Sequence, residues 1–269
     1  MAKSIFRILS LTAVLFGVSQ SASAALIGFW NFSETSGTTA HDSSGSGING
    51  ILENGATFAP GAGINGGGAV QIPGYNVVTG GDVTMGQHFD FSGTTNFSVQ
   101  AWVKLAPGDT RFMLPIAKTV SGVPSGYVLT LNHPAFCDNC AQAFLADGRN
   151  GIYSPASTIP INDGNWHQIV GLESESDVVV YVDGVNQSST GKVSLASSVA
   201  DFVVGGANFS GANGNFFAGL ITDVGVWDNA LSPTEVSALF KQTTVPLPAA
   251  VWLLGPVLGG LGFARRRLV

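Results

Sequence analysis

The sequence contains few charged residues, and basic residues are especially scarce. Only 10% of the 269 residues are charged, and 11 are lysine or arginine. Five of these 11 lie in the end segments (Lys3, Arg7, Arg265, Arg266 and Arg267), which leaves six against 17 acidic residues and a net charge of −11 between the ends. That balance disfavours nucleic acid and anionic lipid as partners, and it is compatible with neutral sugars, cations or solubility alone.

Sequence signatures of several catalytic classes are also absent. There is no Gly-x-Ser-x-Gly elbow, phosphate-binding loop or dinucleotide fingerprint. The chain is rich in glycine, with 36 residues, and 45% of its residues are hydrophobic. This composition suits short strands joined by many turns, and it argues against a helical bundle. The length fits one all-β domain of the larger kind.

Residues 1–24 have the pattern of a secretory signal peptide. Lys3 and Arg7 give a positive start, Ile8 to Val18 is a short apolar core, and Ala22-Ser23-Ala24 is a small-residue cleavage site. The alternative is a transmembrane anchor, but the apolar run is too short to span a bilayer comfortably. We therefore expect export and cleavage after residue 24.

Residues 243–269 have the pattern of a second targeting segment. The motif Val245-Pro246-Leu247-Pro248-Ala249 leads into an apolar run long enough to cross a membrane, and Arg265, Arg266 and Arg267 follow it. From the physical pattern alone, this segment is a C-terminal membrane anchor, and the bulk of the protein lies outside the cytoplasm. The order of parts resembles the PEP-CTERM sorting signal of Gram-negative bacteria. The resemblance implies recognition by an exosortase in the inner membrane, cleavage, and release or attachment at the cell surface; a permanent anchor is the alternative.

Three strand patterns stand out between the ends. Phe97, Val99, Ala101, Val103 and Leu105 alternate with more polar residues, which predicts a strand over 96–105. A second strand is predicted over 166–172 and a third over 178–182. A polar turn at 173–177 joins them, and Asp183-Gly184 forms the next turn.

The motifs over residues 25–242 resemble a laminin G-like domain of the concanavalin A-like superfamily. They include F-W-N-F-S-E at the front, D-G-N-W-H and Y-V-D-G in the middle, and a closing strand that ends at Trp227. The resemblance implies a jelly roll, an all-β sandwich of two antiparallel sheets, with one short C-terminal helix before the transmembrane sorting helix. The short C-terminal helix is predicted to have Ser232 as its N-cap, Pro233 at its first position and Glu235 as the capping-box partner. His167 is expected to be structural, hydrogen-bonded between the sheets.

Glu173, Glu175 and Asp177 alternate, so in a strand their carboxylates would form a row. Retaining glycosidases use two neighbouring carboxyl groups, and laminarinase-type relatives of this fold use alternating carboxylates of this kind. We favour a solvated turn because the residues fall at a hairpin tip, and we keep a glycoside hydrolase using Glu173 and Glu175 as the alternative.

The family resemblance also implies a structural calcium ion. Many such domains hold one near the sandwich edge, and the candidates here are Asp42 and Asp223. Both motifs lack one carboxylate of the family pattern, at Phe32-Ser33-Glu34 and at Thr222-Asp223-Val224. The alternative is that both aspartates cap loops.

The remaining candidates are one cysteine pair and three tyrosines. In an exported chain, Cys137 and Cys140 predict a small-loop disulfide, with half of a zinc site beside His133 as the alternative. Sugars stack on exposed aromatic rings, and Tyr75, Tyr127 and Tyr153 lie near predicted loops. Together these features predict a non-catalytic module that binds carbohydrate or protein outside the cell; a purely structural matrix protein is the alternative.

Overall fold

The computed structural model describes residues 23–76, 79–93, 96–120, 123–135, 137–147, 151–154, 156–192, 194–206 and 216–244. Most of the predicted signal peptide and the sorting motif from Val245 to Arg267 lie outside these ranges. Within them, no helix is both long and apolar enough to cross a membrane.

The described residues form two eight-stranded antiparallel sheets and a small ribbon. In the order of their pairing, sheet 1 contains β16 (Val185–Gly191), β15 (Asp177–Val182), β14 (Trp166–Glu173), β9 (Phe97–Lys104), β18 (Ala218–Trp227), β5 (Val70–Pro73) and β4 (Thr57–Phe58), and β1 (Leu26–Trp30) pairs with β18. Sheet 2 contains β13 (Gly151–Tyr153), β12 (Ala141–Asp147), β11 (Val123–Leu131), β10 (Met113–Val120), β17 (Val203–Val204), β8 (Asp82–Thr84), β3 (Gly50–Glu53) and β2 (Thr39–Ala40). β6 (Tyr75–Asn76) and β7 (Thr79–Gly80) form the ribbon. The predicted all-β antiparallel sandwich is confirmed.

Both faces of the central strand β9 are buried. Phe97, Val99, Ala101 and Val103 lie in the main core between the sheets, as their alternation predicts. The opposite face carries Trp102, which is 1% exposed because the helix α1 (Pro233–Thr244) covers it. The ring of Trp102 stacks on Phe240 of α1, with ring centroids 5.6 Å apart. Sheet 1 therefore packs against sheet 2 on one face and against α1 on the other.

Local signals fix the ends of these elements. The Glu235 N–H donates to Ser232 Oγ and the Ser232 N–H donates to Glu235 Oε2, so the predicted capping box at the start of α1 is confirmed. Asp183 and Gly184 have φ of 53° and 74° between β15 and β16, as the predicted Asp-Gly turn requires.

Candidate functional site

A polar pocket of about 210 Å³ opens beside the middle of β18. We name it the Asp223 pocket. Its lining residues come from the segment after β1, the loop before β5 and β18 itself: Asn31, Ser33, Ile64, Gly67, Gly68, Thr222 and Asp223.

The pocket is built on an irregularity in β18. The register between β18 and β9 shifts between Thr222 and Gly225, and Asp223 has a φ of 46°, in the left-handed region. A bulge of this kind re-aims a side chain, here the carboxylate of Asp223. The Gln100 side chain holds the distorted backbone, since its Nε2 donates to the Asp223 carbonyl at 3.1 Å.

Backbone oxygens converge on the same pocket. The Thr222 hydroxyl lies 3.2 Å from the carbonyl oxygen of Asn31 and 2.8 Å from that of Gly68. Position 68 must be glycine, because a Cβ there would lie 1.9 Å from the Phe32 carbonyl oxygen. This close approach brings the loop before β5 against the end of β1.

The carboxylate of Asp223 has no partner for its charge among the described residues. Within the described part of the chain, no hydrogen bond or ion pair reaches its carboxylate, and burial raises its pKa to about 6. An incompletely solvated carboxylate without donors is a poor structural element and a good ligand for a cation.

The donor set fits a hard cation that relies on neutral oxygens. Asp223 would supply the single carboxylate, and Asn31, Ser33, Gly68 and Thr222 would supply carbonyl, amide or hydroxyl oxygens of the type that Ca²⁺ accepts. Over the described ranges, no group of three or more His, Cys, Asp or Glu side chains could hold a metal. Any calcium bound here would therefore depend heavily on backbone geometry.

Asp42 does not line this pocket; it organises its own loop. Its Oδ1 accepts the N–H groups of Phe29 and Ser44 at 3.0 and 2.9 Å, and its Oδ2 accepts the Gly47 N–H and the Ser46 hydroxyl, both at 2.9 Å. Burial alone would raise the pKa of Asp42, but these hydrogen bonds hold it well below its usual range. Asp42 therefore does not share this pocket with Asp223 and caps its own loop, and a calcium site that uses either aspartate stays a prediction.

The predicted ligand-binding role of Tyr127 is wrong. Its ring is 2% exposed in the main core, where it packs against Phe97, and its hydroxyl donates to the Phe89 carbonyl at 2.9 Å. The inward face of β11 places it there. Tyr75 lies on β6 and Tyr153 on β13, but their side chains are outside the described part of the structure.

The expectation that the carboxylates at 173–177 all face water is also wrong. Glu173 is the last residue of β14, on the same face as the core residue Ile169, and it is fully buried. Neither carboxyl oxygen has a hydrogen-bond partner among the described residues, and burial raises the pKa of Glu173 to about 7 against the opposing effect of Lys192. Glu175 lies in the exposed turn, where its Oε1 accepts from Asn96 Nδ2. The turn at 174–176 interrupts the predicted row.

His167 and the two cysteines have structural contacts. The ring nitrogens of His167 lie 2.8 Å from Asp183 Oδ2 and 3.0 Å from Asp163 Oδ1, so its hydrogen bonds reach loops at the ends of sheet 1 rather than the opposite sheet. Cys137 and Cys140 form a disulfide, which confirms the predicted pairing. Between them, Asn139 Oδ1 accepts the N–H groups of Ile161 and Asn162, at 2.8 and 3.2 Å.

Sequence reasoning identified Asp223 and missed most of its surroundings. The carbonyl oxygens of Asn31 and Gly68 leave no residue-type signal, because any residue carries a carbonyl. The burial of Glu173 did have a signal, namely its even spacing from Ile169 along one strand.

The family model described as the concanavalin A-like lectin/glucanases superfamily, Laminin_G_3, matches residues 77–237. The chain therefore belongs to this superfamily, and the predicted family is confirmed. No curated protein sequence matches it.

Several solved structures share the fold. Domain 4 of AbnA, a GH43 extracellular arabinanase from Geobacillus stearothermophilus solved with arabinotriose, is 21% identical with a TM-score of 0.59, over 81% of this chain and 99% of that one. A second structure is described by the statement that cell entry of botulinum neurotoxin type C depends on interaction with two ganglioside molecules. It is 12% identical with a TM-score of 0.62, over 82% of this chain and 52% of that one. The binding domain of botulinum neurotoxin DC with rat synaptotagmin II is 13% identical with a TM-score of 0.61, over 81% and 52%. The chain spans about half the length of these toxin chains.

Proposed function

We propose that the protein is an exported, non-catalytic concanavalin A-like module that binds carbohydrate at the cell surface or in an extracellular polysaccharide matrix. The observation that carries this proposal is the match to the arabinanase domain solved with arabinotriose, which this chain covers over 99% of its length. A surface protein is the second candidate partner, because a toxin binding domain of the same fold was solved with synaptotagmin.

The geometry of the acidic residues supports binding rather than hydrolysis. A retaining glycosidase needs two carboxyl groups about 5–5.5 Å apart on either side of the substrate. Glu173 is buried inside the sandwich, whereas Glu175 lies in the turn that follows it. A polysaccharide in solution reaches the second of these groups and not the first.

We also propose that the Asp223 pocket holds a structural calcium ion. The support is the carboxylate of Asp223, which has no partner among the described residues, beside the carbonyl oxygens of Asn31 and Gly68. Such an ion would neutralise the carboxylate and tie the end of β1 and the loop before β5 to β18.

Processing at both ends completes the proposal. Residues 1–24 would direct the chain across the inner membrane and then be removed, and the segment 243–269 would anchor it until an exosortase acts on the Val245–Ala249 motif. The support for both steps is the sequence pattern described above.

The test is a glycan array and a polysaccharide pull-down on the exported protein, in calcium and in EDTA. We expect retention on arabinan or another matrix polysaccharide. Glu175→Gln serves as a matched control that removes an exposed carboxylate and leaves binding unchanged. Absence of binding to every glycan at millimolar ligand contradicts the proposal, and so does release of reducing sugar that Glu173→Gln abolishes.

A further inference from the structure

The start of the domain lies against the end of its last strand. The N–H of Ala25 donates to Asp228 Oδ1 at 2.8 Å, and the N–H of Asp228 donates to the Ala25 carbonyl at 3.1 Å. The next residue, Leu26, pairs with Trp227 across β1 and β18. Ala25 and Asp228 therefore close this end of the ladder, which we name the β1–β18 seam.

The two residues before Ala25 contact α1. The Ser23 hydroxyl donates to Glu235 Oε1 at 3.2 Å. Ala24 lines a groove of about 210 Å³ together with Trp227, Leu231, Glu235, Ala238, Leu239 and Gln242. Ser23 and Ala24 belong to the small-residue motif after which we propose cleavage, so the expected cut falls directly at the seam.

Before that cut, Asp228 has no cationic partner in the described part of the chain. Across the described residues, each ion pair involves a carboxylate other than that of Asp228. Asp228 Oδ1 accepts a hydrogen bond from the Ala25 N–H. Two carboxylates face this end of the chain, Asp228 after β18 and Glu235 on α1.

We infer that cleavage after Ala24 converts the Ala25–Asp228 hydrogen bond into an ion pair that locks the mature β1–β18 seam. This inference rests on the proposed export. Hydrolysis by water breaks the Ala24–Ala25 amide bond, leaves a carboxylate on the departing Ala24, and makes the Ala25 nitrogen an amine that is protonated at neutral pH. That nitrogen already lies 2.8 Å from a carboxylate oxygen, so the new positive charge arises in contact with its partner.

The experiment compares two chains that both end at Val269. One begins at Ala25 with a free amine, and the other begins at Ser23, so that the Ala25 nitrogen remains an uncharged amide. Asp228→Asn in each chain keeps an oxygen acceptor and removes the charge. We expect the melting temperature to fall by about 1–3 °C in the Ala25 chain and by less than about 0.5 °C in the Ser23 chain, as for an exposed ion pair. Asp138→Asn removes an exposed carboxylate elsewhere and should affect both chains equally.

A pH series provides the readout that a merely structural Asp228 would not give. The stabilisation is present below the α-amino pKa of about 8 and is lost as pH rises and the ammonium group loses its proton. An equal loss in the two chains, or a loss that persists at pH 10, overturns the inference. An exported chain whose first residue by mass spectrometry is not Ala25 also overturns it, whereas failure to bind glycans bears only on the proposed function.

Discussion

Asp42 and Asp223 are implied alike as cation ligands by the family pattern, yet the fold treats them in opposite ways. Both oxygens of Asp42 accept hydrogen bonds from its own loop and from Phe29 of β1. The carboxylate of Asp223 receives none from the described residues, and its pKa is raised to about 6 rather than lowered. A carboxylate that the chain has already satisfied shapes a loop, and one that the chain leaves unsatisfied is available to an ion.

Replacing the satisfied carboxylate should have the largest effect. Asp42→Ala leaves the N–H groups of Phe29, Ser44 and Gly47 without their acceptor, and we expect a loss of about 2–4 kcal/mol in the free energy of unfolding. Urea unfolding measures it. A loss below about 1 kcal/mol would break the comparison, because Asp42 would then be no more structural than Asp223.

Glu173 extends the comparison to a fully buried group. Its pKa of about 7 lies above the ordinary 4.5, so the folded state keeps a proton that the unfolded state releases, and stability falls as pH rises between these values. We expect Glu173→Gln to remove that slope and to raise stability at pH 8 by about 1–3 kcal/mol. Chemical denaturation at pH 5 and pH 8 measures it, with Glu175→Gln as the control whose slope matches the wild type. A variant that retains the full slope would contradict the assignment.

Asp223→Asn should have the smallest effect without calcium. Its raised pKa makes the wild type lose stability as pH rises from 3.8 to about 6, and in EDTA at pH 8 the asparagine should gain about 1 kcal/mol. Calcium at a hundred times its dissociation constant should then stabilise the wild type by about 2.7 kcal/mol and leave the variant unchanged. Calorimetric melting with and without calcium measures both. Equal calcium stabilisation of the two proteins would show that the ion binds elsewhere.

Local signals in the sequence predicted the elements of this fold well. The alternation over 97–105 gave β9 and its inward face, and Ser232 with Glu235 gave the start of α1. These signals act between residues a few positions apart, so they survive without knowledge of the tertiary structure.

Partners across the sandwich were harder to predict. Asn54-Gly55 marks a turn, but the strands on its two sides, β3 and β4, enter different sheets. Tyr127 lies on β11 and is buried because the rings of Phe91 and Phe97 pack against it. The Asp223 pocket depends on carbonyl oxygens from distant segments, which the sequence does not mark. Long-range packing, rather than residue type, decided each of these outcomes.

The antiparallel pairing of β1 with β18 has a consequence for how the domain joins a longer polypeptide. Because the first and last strands pair with each other, the chain enters sheet 1 beside the strand by which it leaves it. The loop at 35–37, which follows β1, is exposed. Such a layout suits insertion as a whole unit into a surface loop of a host protein, and it suits circular permutation with new ends at Ser36 and Gly37.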